Sequence, residues 1–442
     1  MNYKIGDNVV VNGRPKYTSY GGSPGAILTN YKGKVTHINN KSGVPYPVHV
    51  DKKGWFAESE LGGNTSGSVS SVSSSDDDDL VLKKISTSYQ RSDETRNKAR
   101  RTYISVIFEN RNISTDLNKY LISFEYTDNE EDTADDINIK IDDKDNIWLK
   151  WLKGNGKIEA KGCEIKAFIV KENWNMDGRS EVLDCGIFEC DTIDVDGPPQ
   201  TISLKASSIS QSSKLKNEKK SKVWENATLE EICSEISKKA GYGYFYDTMM
   251  DITYEGVEQV NESDIGFLQR LCKKSGISLK ITSKTIVLFD QTKYENKASV
   301  KKISKMTSDL YSWKFSSKTV DTHYKKCHVK YTDSKTKKTY EYTFTPKNAD
   351  PKGETLEVKG EKVASNEEAR KLAMKKLREK NKEEFTASFT MPGDVKMVAG
   401  CTVEVDGWYA YDGKYIIEAA KHTLSRSGYI TDITVRKVLE EY

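Results

Sequence analysis

Within one stretch, Val257–Asp290, the period of the apolar positions changes from that of a helix to that of a strand. Ile265, Leu268, Leu271 and Cys272 recur at helical spacing and make one apolar face, with Phe267 on its flank. Asn261 is placed to cap this helix and Asp264 adds a carboxylate to its first turn. Gly276 closes it, as a residue that tolerates positive φ. Ile277, Leu279 and Ile281 then alternate, Thr282-Ser283-Lys284 turns, and Thr285–Phe289 returns as a second strand. The pattern predicts a helix followed by a β-hairpin.

A second helix is predicted just upstream. Thr228-Leu-Glu-Glu231 is a capping box, and Leu229, Ile232, Cys233, Ile236 and Ala240 form an apolar stripe that Gly241 stops. Tyr242–Asp247 is short and aromatic. Residues 207–298 thus read as a helix-hairpin domain inserted between two β regions. In the first, 80–206, alternation marks strands at 103–108, 120–126, 136–141, 163–170 and 182–193, with a Gly197-Pro198-Pro199 turn before Thr201–Ala206. In the second, 299–442, strands are expected at 310–315, 327–331, 340–344, 401–405, 413–423 and 429–437. A helix is expected there near 366–385, with Ala369, Leu372, Ala373 and Leu377 on its apolar face. The two regions share a motif order: Gly162-Cys163 and Gly400-Cys401 each open an alternating strand, and Gly186-Ile-Phe188 and Gly413-Lys-Tyr415 each follow. Two similar barrels in one chain are implied.

The front of the chain differs. Residues 1–61 show short strands between Gly and Pro turns, the pattern of a small barrel. Residues 62–79, GGNTSGSVSSVSSSDDDD, read as a flexible Gly/Ser linker extended by four successive Asp.

Composition narrows the function classes. The chain has 442 residues, 24 of them Tyr, and a net charge of +3, too small to argue for specific nucleic-acid binding. Charge is nevertheless segregated: Asp128–Asp145 is acidic, and 205–222 and 293–305 are basic. Such patches either meet across subunits or stay solvated. The seven cysteines make no Cys-x-x-Cys pair, which points to reduced thiols and assembly in a cytosol. MNYKIGDNVVVNG carries no secretory signal pattern, and no apolar run is long enough for a membrane span. A protein that acts outside the cell without such a signal leaves by lysis or rides on a particle.

Two resemblances give these elements a context. The pattern Asn261-Glu-Ser-Asp264, Phe267-Leu268, Arg270-Leu271, Gly276 resembles the late-control-D family of phage tail proteins, the baseplate hubs of contractile tails. The ending, with His422, Gly428-Tyr429 and a last strand, is similar to the same family, as is the order Gly186, Phe188, Asp191, Ile193, Gly-Pro-Pro in the first β region. At the front, Gly6-Asp-x-Val9, Tyr31-x-Gly-x-Val35, Pro45-Tyr-x-Val48 and Gly54-Trp-Phe-x-Glu-Ser-x-Leu61 resemble bacterial SH3-like domains of cell-wall enzymes and phage proteins.

Together these imply a mainly β fold with α+β insertions: an SH3-like barrel, then two tail-tube-like barrels and the helix-hairpin domain. The resemblance implies a structural hub of a phage, phage-tail-like bacteriocin or related contractile injection particle. As a homotrimer it would join the hexameric tail tube protein to the trimeric spike protein, among other baseplate proteins. The SH3-like unit is an addition to that family pattern. Tyr31, Tyr46 and Trp55 are placed to line a groove for peptidoglycan or another peptide ligand; the alternative is that Trp55 simply fills a core too small to manage without it. The alternative function is a wall-targeted phage enzyme or a wall-binding protein.

Catalytic and metal chemistry find little support in the residues. His323, Cys327 and adjacent His328 are too few for zinc, with His323 and Cys327 on one strand face. Asp142–Asn146 lacks the glycine and terminal glutamate of a calcium loop and reads as a solvated acidic turn. Cys401 and His422 are the one Cys–His pair in neighbouring strands, and no Walker, GxSxG or HExxH motif is present. No cofactor, metal or catalytic residue is expected.

Overall fold

The computed structural model divides the chain into two units, residues 1–84 and 85–442. It describes 8–13, 28–38, 48–50, 54–57 and 61–62 of the first, and 99–439 of the second apart from 132, 155–161, 175–177, 210–213, 249–251, 335 and 364.

In the first unit β1 (Asn8–Gly13), β2 (Leu28–Ile38), β3 (Val48–Val50), β4 (Gly54–Phe56) and β5 (Leu61–Gly62) form an antiparallel sheet in the order β4-β3-β2-β1-β5. Val48 and Val50 point inward on either side of His49 and join Val11, Val35, Phe56 and Leu61 in a small core.

The second unit begins with β6 (Arg101–Phe108), β7 (Arg111–Asn112), α1 (Ser114–Tyr120), β8 (Leu121–Asn129) and β9 (Asp136–Asp142). It continues with α2 (Ile147–Gly154), β10 (Glu164–Glu172), β11 (Ser180–Asp196) and β12 (Thr201–Ser207). Strict alternation in β9 sends Ile137, Ile139 and Ile141 to the core, where they meet Phe124, Phe188 and Leu204. The two helices were not evident in the sequence. Asp143 starts α2 by accepting from the backbone of Trp148 (2.8 Å) and Leu149 (3.1 Å); it is the buried member of a turn whose Lys144, Asp145 and Asn146 are exposed, as expected of a solvated acidic turn.

The inserted region holds α3 (Lys214–Asn217), β13 (Lys219–Thr228), α4 (Leu229–Ala240), β14 (Gly243–Asp247) and β15 (Thr253–Ser263). After these come α5 (Asp264–Ser275), β16 (Ser278–Thr282), β17 (Thr285–Phe289) and α6 (Gln291–Glu295). The capping box at Thr228 and the left-handed Gly241 and Gly276 stand as the sequence predicts. The cap of α5 does not: Ser263 accepts from Gly266, while Asn261 lies at φ 49 in a bulged strand. Phe267 is fully buried beside Leu268 and Leu271, whereas Ile265 is half-buried, so the apolar face centres one residue away from the expected flank. β13 and β15 were missed because their inward positions are sparse, Trp224 on one and Gln259 on the other.

The last region contains β18 (Lys301–Ser304), β19 (Ser312–Ser317), β20 (Tyr324–Thr332), β21 (Thr339–Phe344) and β22 (Glu354–Lys359). α7 (Asn366–Asn381), β23 (Phe385–Pro392), β24 (Thr402–Asp406), β25 (Gly413–Ser425) and β26 (Gly428–Lys437) complete it. Two cores occupy what reads in sequence as one barrel. β20–β22 make a separate sheet packed on Ala369, Ala373 and Leu377 of α7, and this module interrupts the second barrel between β19 and β23. α7 stops at Asn381, short of the expected 385, because Phe385 is already paired in β23.

The repeat is real at the level of hydrogen bonds. Gly162 donates to Cys190 O (3.3 Å) and Cys190 to Cys163 O (2.8 Å); Gly400 donates to Ile417 O (2.8 Å) and Ile417 to Cys401 O (2.9 Å). Just past these residues β11 slips register against β12, and β25 slips against β26, one bulge in each copy. The two halves share one 13-stranded sheet, because β8 pairs with β25.

Leu268→Asp tests the inserted core. The side chain is fully buried, so an unpaired carboxylate there should cost at least ~4 kcal/mol and unfold this region, read as loss of protease resistance within 207–298.

Candidate functional site

Among the described residues no cluster of three or more His, Cys, Asp or Glu side chains could hold a metal ion, and the candidate site is the joint between β8 and β25. β25 is 13 residues long: Gly413–Ile416 pair with β24, and Ala419–Ser425 pair with β8 of the other half. Across the joint Tyr126 stacks on His422 with ring centroids 5.9 Å apart. His422 Nε2 lies 2.9 Å from Met397 O, which fixes its proton there, so Nδ1 accepts from the Tyr429 hydroxyl at 2.7 Å. Burial lowers the pKa of His422 and raises that of Tyr429, so both are neutral and the contact is structural.

Tyr429 explains a glycine. A Cβ on Gly393 would overlap the buried Tyr429 ring. Gly393 donates to Tyr429 O (2.8 Å), and its own carbonyl accepts from Lys171 of β10 at 2.7 Å. The closing His–Gly-Tyr motif is therefore a lock between halves.

Charges gather at the end of the joint. Lys280, on the inserted hairpin, pairs with Asp128 and lies 3.5 Å from Asp135. Burial alone would lower the Lys280 pKa, but the two carboxylates outweigh it and hold the ammonium charged. Asp128 also accepts from the backbone of Ala399 (2.9 Å), so one carboxylate touches three regions. Next to it, fully buried Arg436 contacts Glu295 (2.7 Å), Glu418 (3.3 Å) and Glu130 (4.0 Å), while Arg378 of α7 reaches Glu295 at 2.5 Å. Burial pushes Glu130 up to about 7, against the pull of Arg436, and Glu418 up to about 6. Glu131 behaves oppositely: Lys382 and a 2.5 Å hydrogen bond from Ser278 outweigh its burial and lower it. Asp128, Glu130 and Asp135 of the acidic stretch are thus buried and face cations inside the chain rather than solvent.

Beside this joint a cleft of about 710 Å³ separates α5 and β16 from α7. Lys375 lines it and contacts Lys273 O near the C-terminal end of α5, and burial lowers its pKa to about 8.

The residues singled out in the sequence do not converge. Tyr31 and Trp55 stand in strands opposite Val11 and His49; their side chains, and Tyr46 entirely, lie outside the described residues. His323 reaches Glu384 (2.6 Å) and Asp350 (3.3 Å), His328 reaches Thr343 (2.9 Å), and Cys327 is sealed under α7. Both ring nitrogens of His422 are engaged by Tyr429 and Met397, away from Cys401. None of the seven cysteines forms a disulfide. Lys280 and Arg436 were missed, since a lone cation in an alternating strand does not reveal its partners.

Solved structures of low identity share this architecture. The 43 kDa tail protein of prophage MuSo2 from Shewanella oneidensis matches with a TM-score of 0.57 at 14% identity, over 76% of this chain and 98% of that one. The tail protein from Neisseria meningitidis MC58 matches at 0.57 and 12%, over 76% and 96%. The fold is that of a phage tail protein. In sequence, residues 209–428 match the phage tail baseplate hub (GPD) family, and the chain belongs to that family. A probable baseplate hub protein of Escherichia phage 186 is 26% identical over 196 residues, 44% of this chain. That match spans 46% of the relative's length.

Two outcomes test the joint. Gly393→Ala should destabilise the second unit by about 1–3 kcal/mol in a denaturant melt, since the Tyr429 ring has to leave its hydrogen-bonded seat. Glu130 and Glu418 have raised pKa values in the folded chain, so the stability they contribute is present at low pH and lost as pH rises through about 6 to 7. Between about pH 5.5 and pH 8 the wild type should lose stability, and Glu130→Gln should flatten that slope by on the order of 2–3 kcal/mol.

Proposed function

We propose that this chain is the structural hub of a contractile tail or related injection particle. Three copies join a hexameric tail tube to a trimeric spike and contact other baseplate proteins. The observation that carries the reading is the internal repeat: one chain supplies two copies of one β motif in one continuous sheet, so three chains offer six. Membership of the hub family supports it. The particle, a phage or a tail-like bacteriocin, assembles in the bacterial cytoplasm and leaves by lysis. Cysteines without disulfides accord with a reducing site of assembly. A structural role is favoured over catalysis because the titratable groups with the largest burial serve the joint.

The front unit is proposed to be an SH3-like barrel that binds wall peptide or a neighbouring baseplate protein through Tyr31, Tyr46 and Trp55. Its strand order, with β5 returning beside β1, accords with a small barrel. Light scattering of the purified chain should report a trimer, and deletion of Met1–Asp79 should leave that trimer intact while reducing wall or baseplate attachment. A monomer at every concentration would remove the hub reading. A deletion that abolishes assembly would make the front unit part of the ring.

A further inference from the structure

The internal repeat extends to the sheet edges and identifies a surface. Matching Cys190 to Ile417 places β12 on β26 and β9 on β23. One strand further out, Ser123-Phe-Glu-Tyr-Thr-Asp128 of β8 falls on Ser312-Trp-Lys-Phe-Ser-Ser317 of β19. β8 has a second neighbour, β25; among the described residues β19 ends the sheet. Conversely, Ala419–Ser425, which receive β8, correspond to the stretch of β11 starting at Thr192. Among the described residues no strand pairs with the outer edge of Thr192–Asp196. Each chain therefore carries one unused copy of either side of its own joint.

We propose that β19 of one copy pairs antiparallel with Thr192–Asp196 of a second copy, repeating between chains the β8·β25 joint within the chain. Transferring the register sets Phe315 opposite Val195, Ser316 opposite Asp194 and Lys314 opposite Asp196. The apolar contact is kept: Tyr126 on His422 becomes Phe315 on Val195, which is 47% exposed in the single chain, as is Trp313 next to the junction. The charges are inverted. Within the chain Lys421 lies 3.1 Å from Glu125; between chains Lys314 takes the place of Glu125, and Asp194 the place of Lys421. Asp194 meanwhile rests on Lys205 of its own sheet at 2.8 Å, and Asp196 is exposed. Inversion makes the wrong pairings repulsive, since Lys314 would meet Lys421 and Glu125 would meet Asp194. β19 thus prefers β11 of a neighbour to β25, and the exposed edge is used rather than left as a hazard. The two surfaces differ, so the contact is heterologous, and it builds a ring where the rotation between copies closes. The ring size rests on the hub reading; the edge pairing does not.

The test uses the full chain. Lys314→Cys with Asp196→Cys should give covalent multi-chain species under mild oxidation, while either change alone should not. Lys314→Glu should weaken association about tenfold, and adding Asp194→Lys and Asp196→Lys should restore it. All three positions are on the surface, and thermal melts matching the wild type confirm intact folding. If copies associate but the double-cysteine chain does not cross-link and Lys314→Glu has no effect, the surface is wrong and the hub reading survives. A chain that never associates overturns both.

Discussion

The backbone pairing of β8 with Ala419–Ser425 of β25 is the constraint on which the main unit depends. Without it each half would present a bare strand edge, an exposed ladder of unpaired donors and acceptors. With it, seven strands of one half and six of the other share one sheet. The length of β25 follows from this demand, since the strand must serve β24 with one end and β8 with the other. The bulge after Ile417 comes where that change of partner takes place. The corresponding bulge after Cys190 lies where β11 leaves β10, with no strand among the described residues beyond it.

Charge at the joint answers a different need. A buried ion pair contributes little net stability, because desolvation cancels most of the attraction, yet removing one partner is costly. Asp128 shows the use of that asymmetry. Its two oxygens are taken by Lys280 from the inserted domain and by Ala399 from the second half, and misplacing either region strands a buried carboxylate. Arg436 does the same for Glu295, Glu418 and Glu130. The network therefore specifies where the modules sit more than how tightly they hold. The raised pKa of Glu130 marks the desolvation cost left over.

Much of this was legible in the sequence, and the illegible part has a common cause. Helices with dense apolar stripes and glycine stops, α4 and α5, were readable because their period and caps are local. The His422, Gly428, Tyr429 pattern was readable as a motif, but its meaning, a lock on Tyr126 and Gly393, required contacts distant along the chain. β13 and β15 were unreadable because each buries little and relies on the other. The acidic stretch looked solvated because sequence shows charge density and not the distant cations that neutralise it. The module on α7 looked like part of a barrel because its strands alternate as barrel strands do; only separate cores distinguish them.

The resemblance between Ser123–Asp128 and Ser312–Ser317 escaped notice for a related reason. Six residues with five differences, Phe to Trp, Glu to Lys and Tyr to Phe among them, carry no weight as a linear match. Registered through two intervening strands they occupy equivalent places, and the Glu-to-Lys change then has a direction. Duplication alone would give both halves the same edge charges and let every β8-like strand pair with every β11-like edge. Opposite signs at Glu125 and Lys314, matched by Lys421 and Asp194, would separate the joint inside the chain from the proposed joint between chains. Two copies of one motif can then hold distinct neighbours, which the proposed ring of unequal halves would require.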